Sequence, residues 1–457
     1  MADELPDFTI VGAGLAGTLL ACYLGKAGYR VDVYEKRPDP RIHEPPPGRS
    51  INLALSLRGI HALREVGLAD AALQSAIPLR GRMIHARNGQ LSFQPYGKDD
   101  SESINSISRA GLNLLLVNAA AGYPSVRLFF HQRCTGIDLQ TAAIDLLDEQ
   151  TQRTSRVPCR TVIGADGAYS AIRYKMQIQE RFNYHQDYLT YGYKELTIPP
   201  APSPLSAAGE RGKGGSFRME KHALHIWPRR SFMMIALPNL DGSFTCTLFW
   251  PYEGPNSFAA LQTESDVRQF FWEQFPDALP LMPSLAEDYR KNPVGPLLTV
   301  RCSPWHVDGR MVLLGDAAHA VVPFLGQGMN AAFEDCTVLA ECLTRFGPDT
   351  ASAFREFEAR RKVHTDALAD LALLNFIEMR DHVGSRVFLA RKKFENFLHK
   401  LLPRWYLPLY TMIQFTRIPY AQARRRARWQ DRVVGVCLGV LLAALVLGLL
   451  RLFAKLG

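Results

Sequence analysis

Residues 8–17, FTIVGAGLAG, contain the pattern that decides the fold of this 457-residue chain. A short apolar run, which predicts a β-strand, leads directly into G-x-G-x-x-G, and a helical pattern follows to about Ala27. A second strand, predicted for residues 29–34, ends at Glu35. This β-α-β start predicts a Rossmann-like domain, in which a helix N-terminus binds a pyrophosphate and Glu35 accepts hydrogen bonds from a ribose. Because the carboxylate of Glu35 repels a 2′-phosphate, the dinucleotide bound here is not expected to be NADP.

A second motif lies at residues 163–173, IGADGAYSAIR. A predicted strand runs into Gly-Ala-Asp166-Gly, and a helix then opens with Ser170 as a plausible N-cap. By itself such a turn is more often structural than functional.

The third motif is LLGDAAHAVVPFLGQGMN, residues 313–330. An apolar strand at 311–314 ends at Gly315-Asp316, a turn with two glycines follows, and a helix is predicted from near Met329. The arrangement puts one carboxylate at a strand end and free backbone N–H groups at a helix N-terminus, which favours nearby negative charge. An ordinary strand-turn-helix unit is the alternative when the motif is taken alone.

Composition limits the class of protein. Hydrophobic content of 47% and charged content of 21% are typical of a globular chain with a sizeable core. The eight cysteines include no C-x-x-C pair, which argues against a disulfide scaffold and a zinc site, and no metal is expected. The net charge of +9 is local, because residues 424–457 hold seven Lys or Arg and one Asp. A nucleic-acid partner is therefore not expected.

Residues 433–450 are eighteen residues without a charge. As a helix they span about 27 Å, slightly less than a bilayer core. A buried core helix is the alternative, but the run lacks a polar face and has basic residues on both sides. We expect a transmembrane tail anchor, with the preceding arginine cluster on the cytosolic side. A short span with basic flanks suits the mitochondrial outer membrane. The acidic residues 1–7 predict neither a secretory signal nor a matrix presequence.

The rest of the chain divides by pattern. Residues 45–48 and 199–215 are expected to be loops or linkers, residues 223–227, 232–237 and 244–250 an antiparallel sheet, and residues 351–428 amphipathic helices. We therefore predict an α/β protein in four parts. They are a Rossmann-like FAD-binding domain (5–180 and 295–350, with about 50–105 contributing to the substrate site), an inserted antiparallel β-sheet substrate domain (181–294), a C-terminal helical region (351–430) and the transmembrane helix (433–450).

The three motifs, in this order and spacing, resemble those of the single-component FAD-dependent aromatic hydroxylases, over residues 5 to about 350. Further segments resemble the kynurenine-hydroxylating branch of that family and extend the likeness to nearly the whole chain. They are residues 49–56, 82–85, 95–97, 224–228, 235–239, 375–379 and 408–412. The tail anchor is similar to that of the eukaryotic members, which lie in the mitochondrial outer membrane.

The resemblance implies a set of roles. Bound FAD would contact Gly12, Gly14, Ala16, Gly17, Tyr34, Glu35, Lys36, Arg37, Ala54, Arg109, Cys134, Asp166, Asp316, Met329 and Asn330. The amino-acid end of L-kynurenine would contact Arg82, Tyr96, Asn375 and Tyr410. NADPH would be a transient electron donor and O2 the oxidant. Since the single G-x-G-x-x-G belongs to FAD, the sequence does not show where NADPH binds.

The chemistry agrees with the substrate assignment. A buried α-carboxylate needs a paired cation, and the guanidinium of Arg82 offers a bidentate partner. Tyr96 and Tyr410 offer hydroxyl groups and apolar ring faces. The resemblance implies a flavin C4a-hydroperoxide that attacks the carbon ortho to the aniline without a protein base, so His319 is expected to be structural. Two alternatives remain: a flavin hydroxylase of another aromatic acid (a halogenase is disfavoured because its Trp-x-Trp-x-Ile-Pro run is missing), and a non-catalytic membrane-tethered flavoprotein.

Overall fold

The computed structural model describes residues 5–43, 52–97, 102–202, 216–382 and 386–456. The loop expected at 45–48 lies outside these residues, and so does most of the one expected at 199–215. The strands, in chain order, are β1 (Phe8–Val11), β2 (Val31–Tyr34), β3 (Asn52–Leu55), β4 (Ala76–Leu79), β5 (Gly81–His85), β6 (Leu91–Pro95), β7 (Ile104–Ser108), β8 (Val126–Phe129), β9 (Gln132–Ile137), β10 (Ile144–Asp148), β11 (Thr154–Val157), β12 (Val162–Gly164), β13 (Asn183–Ile198), β14 (Ala223–Pro228), β15 (Met233–Pro238), β16 (Phe244–Pro251), β17 (Gly295–Ser303), β18 (His306–Val307) and β19 (Met311–Leu313).

The α-helices of the described residues follow the same order. They are α1 (Leu15–Lys26), α2 (Leu57–Glu65), α3 (Ala69–Gln74), α4 (Arg109–Ala121), α5 (Ala171–Met176), α6 (Glu264–Gln274), α7 (Leu285–Lys291), α8 (Asp316–His319), α9 (Gly328–Phe346), α10 (Thr350–Ile377), α11 (Arg386–Leu401), α12 (Leu409–Gln414) and α13 (Tyr420–Leu456). A π-helical turn, Glu378–His382, follows α10.

A six-stranded sheet carries the three glycine-rich motifs, with the strand order β18-β19-β12-β1-β2-β8. All of its neighbours are parallel except β18 and β19. The strands are short and rich in valine and isoleucine, and β1, β2, β12 and β19 are buried along their whole length. Such strands need cover on both faces, which is the usual condition of a parallel sheet. The predicted β-α-β start is confirmed, with its second strand beginning at Val31 rather than Tyr29.

A seven-stranded sheet has the order β17-β13-β16-β15-β14-β5-β6. The predicted antiparallel run is confirmed, because β15 pairs antiparallel with both β14 and β16. Its far edge comes from early in the chain: β5 pairs parallel with β14 and sets Arg82 opposite Leu224. A pairing between segments so far apart in sequence leaves no local pattern. A three-stranded sheet, β3-β7-β4, accompanies it.

The C-terminal region is helical, as predicted, but its last helix differs from the expectation. The sequence suggests a helical region ending near residue 430 and a separate span at 433–450, whereas α13 is one continuous helix, Tyr420–Leu456. The residues between are mostly alanine, arginine and glutamine, which favour helix and give no stop signal.

The two ends of α13 have different surroundings. Tyr420 and Ala423, in its first turn, are fully buried, whereas Val440 and Leu442 are more than 60% exposed. The segment Tyr420–Gly448 is the one helix in the described part of the chain that is long and apolar enough to cross a membrane. Its most apolar 18-residue stretch has a mean hydropathy of 2.0 and packs against nothing else in the protein.

Candidate active site

The glycine-rich turn after β1 forms a tight cradle. Gly12 has a φ of +103°, and a Cβ atom there would lie 2.5 Å from the carbonyl oxygen of Ala165. A Cβ on Gly17 would lie 2.0 Å from the carbonyl oxygen of Gly12, so both positions require glycine. At Gly14 a Cβ would meet nothing within 4 Å, which leaves open space at the N-terminus of α1. This is the geometry that a pyrophosphate needs.

Glu35, at the end of β2, is buried and closes the cradle. Its Oε2 accepts a hydrogen bond from the Ala13 amide at 2.8 Å, and its Oε1 accepts from the Nε of Arg37 at 2.8 Å. Burial acts to raise the pKa of Glu35, but Arg37 and the backbone bonds outweigh it and the pKa is lowered. The carboxylate is therefore ionised. Tyr34 stacks on Phe129 with ring centroids 4.9 Å apart.

Asp166 follows β12 and lies against the cradle, since a Cβ on Gly12 would be 3.0 Å from its Cα. One carboxylate oxygen accepts the Ala171 amide at 2.7 Å, while the other is buried without a partner. Burial raises the pKa of Asp166. A buried orphan acceptor of this kind fits a hydroxyl group of a bound dinucleotide. Ser170 caps α5 as predicted, accepting the Arg173 amide at 2.9 Å.

The third motif completes the same cleft. A Cβ on Gly315 would lie 3.4 Å from the Cβ of Ala16, so the end of β19 lies against the start of α1. Asp316, the first residue of α8, is exposed toward solvent. The structure thus brings together the three glycine-rich motifs. Burial raises the pKa of the nearby Cys134 thiol to about 12, so Cys134 stays protonated.

The side chain of Asn330 has a structural function that the sequence did not suggest. It is fully buried. Its Oδ1 accepts the Ser56 amide at 2.9 Å, and its Nδ2 donates to the carbonyls of Ala54 at 2.7 Å and Gly326 at 2.9 Å. The side chain therefore fixes β3 against the loop before α9. At Asn330 this leaves the backbone N–H group to meet a flavin.

Three residues that sequence reasoning missed hold this loop. Gln327 donates from Nε2 to Gln414 Oε1 at 2.7 Å, and Gln414 in turn donates to the carbonyl of Leu325 at 2.8 Å. The hydroxyl of Tyr420 donates to Gln327 Oε1 at 2.9 Å. Gln327, Gln414 and Tyr420 are no more than 1% exposed. The signal in the sequence is that Gln327 stands between two glycines of the third motif. Its partners Gln414 and Tyr420 lie too far along the chain to be identified from the sequence.

Arg82, Tyr96 and Tyr410 form a cluster next to Ala54. The two tyrosine rings stack with centroids 5.4 Å apart, and the guanidinium carbon of Arg82 lies 5.6 Å from the Tyr96 centroid and 4.7 Å from the Tyr410 centroid. The Nε of Arg82 is buried without a hydrogen-bond partner. No direct ion pair between Arg82 and a carboxylate is found in the described residues, although the charge of Glu378 is near enough to act on the guanidinium. This cation can therefore accept an external anion.

The polar groups around Arg82 are suited to donate or accept without charge. Burial raises the pKa of Tyr96 well above its ordinary value, so its hydroxyl remains protonated. Asn375 lies on α10, and its Nδ2 donates to the carbonyl of Phe324 at 2.8 Å. Asn375 is thus tied to the Pro323–Leu325 turn, and its Oδ1 is left as an acceptor. Leu224 packs against two groups of buried hydrophobic residues, one that contains Tyr96 and one that contains Phe324 and Phe376.

Three further residues predicted to contact FAD are exposed. Lys36 and Arg37 are exposed beyond β2, and Arg109 is exposed at the first turn of α4.

His319 is buried and hydrogen-bonds through Nε2 to Asp335, whose other oxygen accepts from Arg361 at 2.6 Å. Burial acts to raise the pKa of Asp335, but His319 and Arg361 outweigh it, and the pKa is lowered. No cluster of residues in the described ranges could hold a metal ion.

The residues present fit FAD. The open space at Gly14, the orphaned oxygen of Asp166, the ionised Glu35 and the exposed Asp316 lie around the meeting point of the parallel strands. Ala54 is held beside Gly326, where a Cβ would come within 3.0 Å of it. The flavin end of the cofactor would therefore lie between this loop and the Arg82 cluster.

Comparisons with solved structures agree with this fold. The chain superimposes on 2-methyl-3-hydroxypyridine-5-carboxylic acid oxygenase with a TM-score of 0.63 and 21% identity, covering 84% of this chain and 94% of that one. A probable FAD-dependent monooxygenase from Pseudomonas aeruginosa gives a TM-score of 0.64 at 20% identity, covering 85% and 99%. At such identities the likeness concerns the fold alone.

Sequence comparisons are more specific. The FAD binding domain family matches residues 7–371. A kynurenine 3-monooxygenase from Myxococcus xanthus is 49% identical over 93% of this chain and 89% of its own length. The one from Sus scrofa is 45% identical over 94% of this chain and 88% of its own length. The chain therefore belongs to the FAD binding domain family and, within it, to the kynurenine 3-monooxygenase family.

Proposed function

We propose that this protein is an FAD- and NADPH-dependent monooxygenase that converts L-kynurenine to 3-hydroxy-L-kynurenine. The observation that carries the proposal is Arg82: a buried cation whose Nε has no hydrogen-bond partner, set against two stacked tyrosines beside the predicted flavin site. The relatives named above are kynurenine 3-monooxygenases over nearly the full length of both chains, which supports the same substrate.

The protein's residues would bind and orient the substrate. Arg82 pairs with the α-carboxylate, and the hydroxyls of Tyr96 and Tyr410 donate to it or to the neighbouring ketone. The Oδ1 of Asn375 accepts from the α-ammonium group. With this end held, the aromatic ring of kynurenine extends toward Ala54 and the loop at Gly326, where the flavin ring is predicted. Correct placement of the reacting carbon lowers the entropic part of the barrier.

The overall reaction balances as L-kynurenine, NADPH, a proton and O2 giving 3-hydroxy-L-kynurenine, NADP⁺ and water. FAD, when bound, supplies the redox chemistry that takes two electrons from NADPH and activates O2. The substrate's own aromatic amine makes the ortho carbon electron-rich, so the protein needs no base at the reacting atom. What the chain contributes there is an apolar wall that excludes water, formed in part by Leu79, Ile104 and Leu237.

The test is NADPH oxidation by the purified holoprotein with and without L-kynurenine, with the product identified by mass spectrometry. We expect oxidation to accelerate with kynurenine and the product to gain one oxygen atom. Kynuramine, which lacks only the carboxylate, is the matched control and should bind much more weakly. A protein that ignores kynurenine but hydroxylates another aromatic acid would replace this proposal. A protein that turns over neither would support a non-catalytic flavoprotein.

We further propose that α13 anchors the protein in a membrane. The support is its length, the mean hydropathy of 2.0 of its most apolar 18 residues and the exposure of that part. Cys437 lies in that part and is exposed, whereas the other cysteines are buried or partly buried. In membranes Cys437 should be protected from a maleimide reagent that cannot cross lipid, and detergent should release it. Labelling that is equal in both conditions would contradict the anchor.

The finer proposal is the mitochondrial outer membrane, with the catalytic part facing the cytosol. It rests on the short apolar run with basic residues on both sides, Arg432 before it and Arg451 after it. Fractionation of the native cell, followed by protease treatment of intact organelles, tests it. Recovery of the protein in another membrane, or protection of its catalytic part from protease, would contradict it. The division into four domains also stays a proposal, which limited proteolysis can test.

A further inference from the structure

A second apolar surface lies on α11, outside the candidate span. Phe394, Phe397 and Leu401 are 38%, 57% and 61% exposed. Their spacing of three and four residues puts them on one face of the helix. Leu402 and Trp405, each 44% exposed, continue this face beyond the end of α11. We call these five residues the α11 apolar surface.

The α11 apolar surface is continuous with the start of the membrane-directed part of α13. The ring of Trp405 meets that of Trp429 edge-on, with centroids 5.5 Å apart. Gln430 donates from Nε2 to the carbonyl of Trp405 at 2.8 Å. Trp429 is itself 52% exposed and lies one helical turn before Val433, where the uncharged run begins. The surface and the candidate span are thus held in one fixed relation.

The polar residues of α11 are distributed as an interfacial helix requires. Glu395 and His399 are buried on the inner face, at 8% and 7% exposure. Lys393, Lys400 and Arg404 are exposed at the border of the apolar surface. Basic side chains beside an apolar helical face match anionic headgroups above an acyl layer. Tryptophan is enriched at the membrane–water interface, where Trp405 and Trp429 would lie.

We propose that the α11 apolar surface lies in the interfacial layer of the same bilayer that α13 enters, so that the protein has a surface contact as well as a span. This inference rests on the proposed membrane attachment. A bilayer is the occupant that the geometry favours, because the surface reaches Trp429 at the point where α13 would meet the headgroups. A soluble partner protein would have to fit between the globular part and the lipid there.

The experiment uses the full-length holoprotein in lipid nanodiscs that contain lipids brominated near the headgroup, which quench nearby tryptophans. The three buried tryptophans, Trp227, Trp250 and Trp305, serve as an internal background. Trp272, on α6, is 67% exposed elsewhere and provides the matched control. Trp405→Phe and Trp429→Phe should each remove about half of the lipid-dependent quenching, because two tryptophans share the interface. Trp272→Phe should leave it unchanged.

The outcomes separate this inference from the anchor itself. If Trp429→Phe lowers the quenching and Trp405→Phe does not, α13 enters the bilayer but the surface contact is refuted. If neither lowers it and Cys437 is open to labelling, the membrane attachment fails as well. Two protein copies per disc with Trp405 unquenched would assign the surface to a second copy and overturn the proposal.

A charge substitution gives a second, independent measurement. Phe397→Glu with Leu401→Glu should abolish the Trp405 quenching while Cys437 stays protected and the NADPH oxidation rate is kept, since neither residue is part of the predicted catalytic site. Leu91→Glu, at a 55% exposed position on β6, is the matched control. Quenching that survives the double substitution would contradict the lipid contact.

Discussion

The hydroxyl of Tyr420 donates a hydrogen bond to Oε1 of Gln327 at 2.9 Å and so joins the first residue of α13, the proposed anchor, to the loop between two glycines of the third motif. Burial raises the pKa of Tyr420, so the group remains a donor. The guanidinium of Arg58 covers the Tyr420 ring at 4.2 Å from its centroid. Helix α13 is therefore part of the wall of the predicted active site.

Tyr420→Phe should lower the coupling between NADPH oxidation and product formation. The substitution leaves Gln327 Oε1 buried without its donor, which costs about 1–3 kcal/mol. The loop should then exclude water less well, and more NADPH should be spent on peroxide. Urea unfolding and the ratio of product to NADPH measure the two effects. Tyr23→Phe, which loses a bond of 2.9 Å to the Ala62 carbonyl, is the control. It should lower stability without changing the ratio, and an equal change in both variants would argue against positioning by Tyr420.

Arg82→Met should weaken L-kynurenine binding by about 2–5 kcal/mol, typical for a buried charge left unpaired. This corresponds to a rise in KM of roughly 30- to 5,000-fold. Methionine preserves the length and apolar packing of the side chain. Kynuramine, without a carboxylate, should lose little affinity in the same variant. A near-normal KM for kynurenine, or an equal loss for both compounds, would refute the carboxylate role.

Gly14→Ala should fold normally and lose affinity for FAD. A Cβ there meets nothing in the protein within 4 Å, yet it enters the space predicted for the pyrophosphate. Circular dichroism should remain native while the yellow cofactor is lost on gel filtration. Gly17→Ala should behave differently and fail to fold, because its Cβ would lie 2.0 Å from the Gly12 carbonyl oxygen. Full FAD retention by Gly14→Ala would place the cofactor elsewhere.

Stability should fall as the pH drops from 6.5 towards 4, in part through His225. This residue is 1% exposed, and burial lowers its pKa from 6.5 to about 4. Its Nε2 lies 2.8 Å from the Glu220 carbonyl oxygen, and its Nδ1 lies 2.8 Å from Nε2 of His85. Since burial disfavours the charged form, its contribution is complete above pH 6.5 and lost as the pH falls towards 4, by about 3 kcal/mol.

The measurement is urea unfolding across this pH range. His225→Gln keeps a neutral polar side chain and should flatten the curve. His185→Gln is the control, because the side chain of His185 is 66% exposed and pairs with Asp187 at the surface. If His225→Gln and the parent lose stability in parallel below pH 6.5, the titration belongs to other groups.

Two truncations should separate membrane release from activity. A chain ending at residue 431 keeps Tyr420 and should leave the integral membrane fraction with FAD bound and activity retained. A chain ending at residue 419 also loses Arg424, which pairs with Asp370 at 2.6 Å, and should lose most of its activity. Carbonate extraction and product assays measure both. Equal activity of the two chains would show that the first turns of α13 do not matter to the site.

The sequence by itself determined the dinucleotide cradle and the candidate span. In both, the decisive geometry lies within a few consecutive residues: Gly12 needs a positive φ, Ser170 caps its own helix, and residues 433–450 carry no charge. The family resemblance added the substrate residues, but no local pattern explains why Arg82 belongs with Tyr410.

Only the tertiary structure decided how those residues meet. Arg82 reaches Tyr410 because β5 pairs with β14, and Gln327 reaches Tyr420 because α13 packs on α10. Such contacts depend on the packing of segments that are far apart in the chain, and each is fixed by burial and by the need to satisfy buried polar groups. Neither condition can be read from neighbouring residues, so the wall that α13 contributes to the site became visible only in the folded chain.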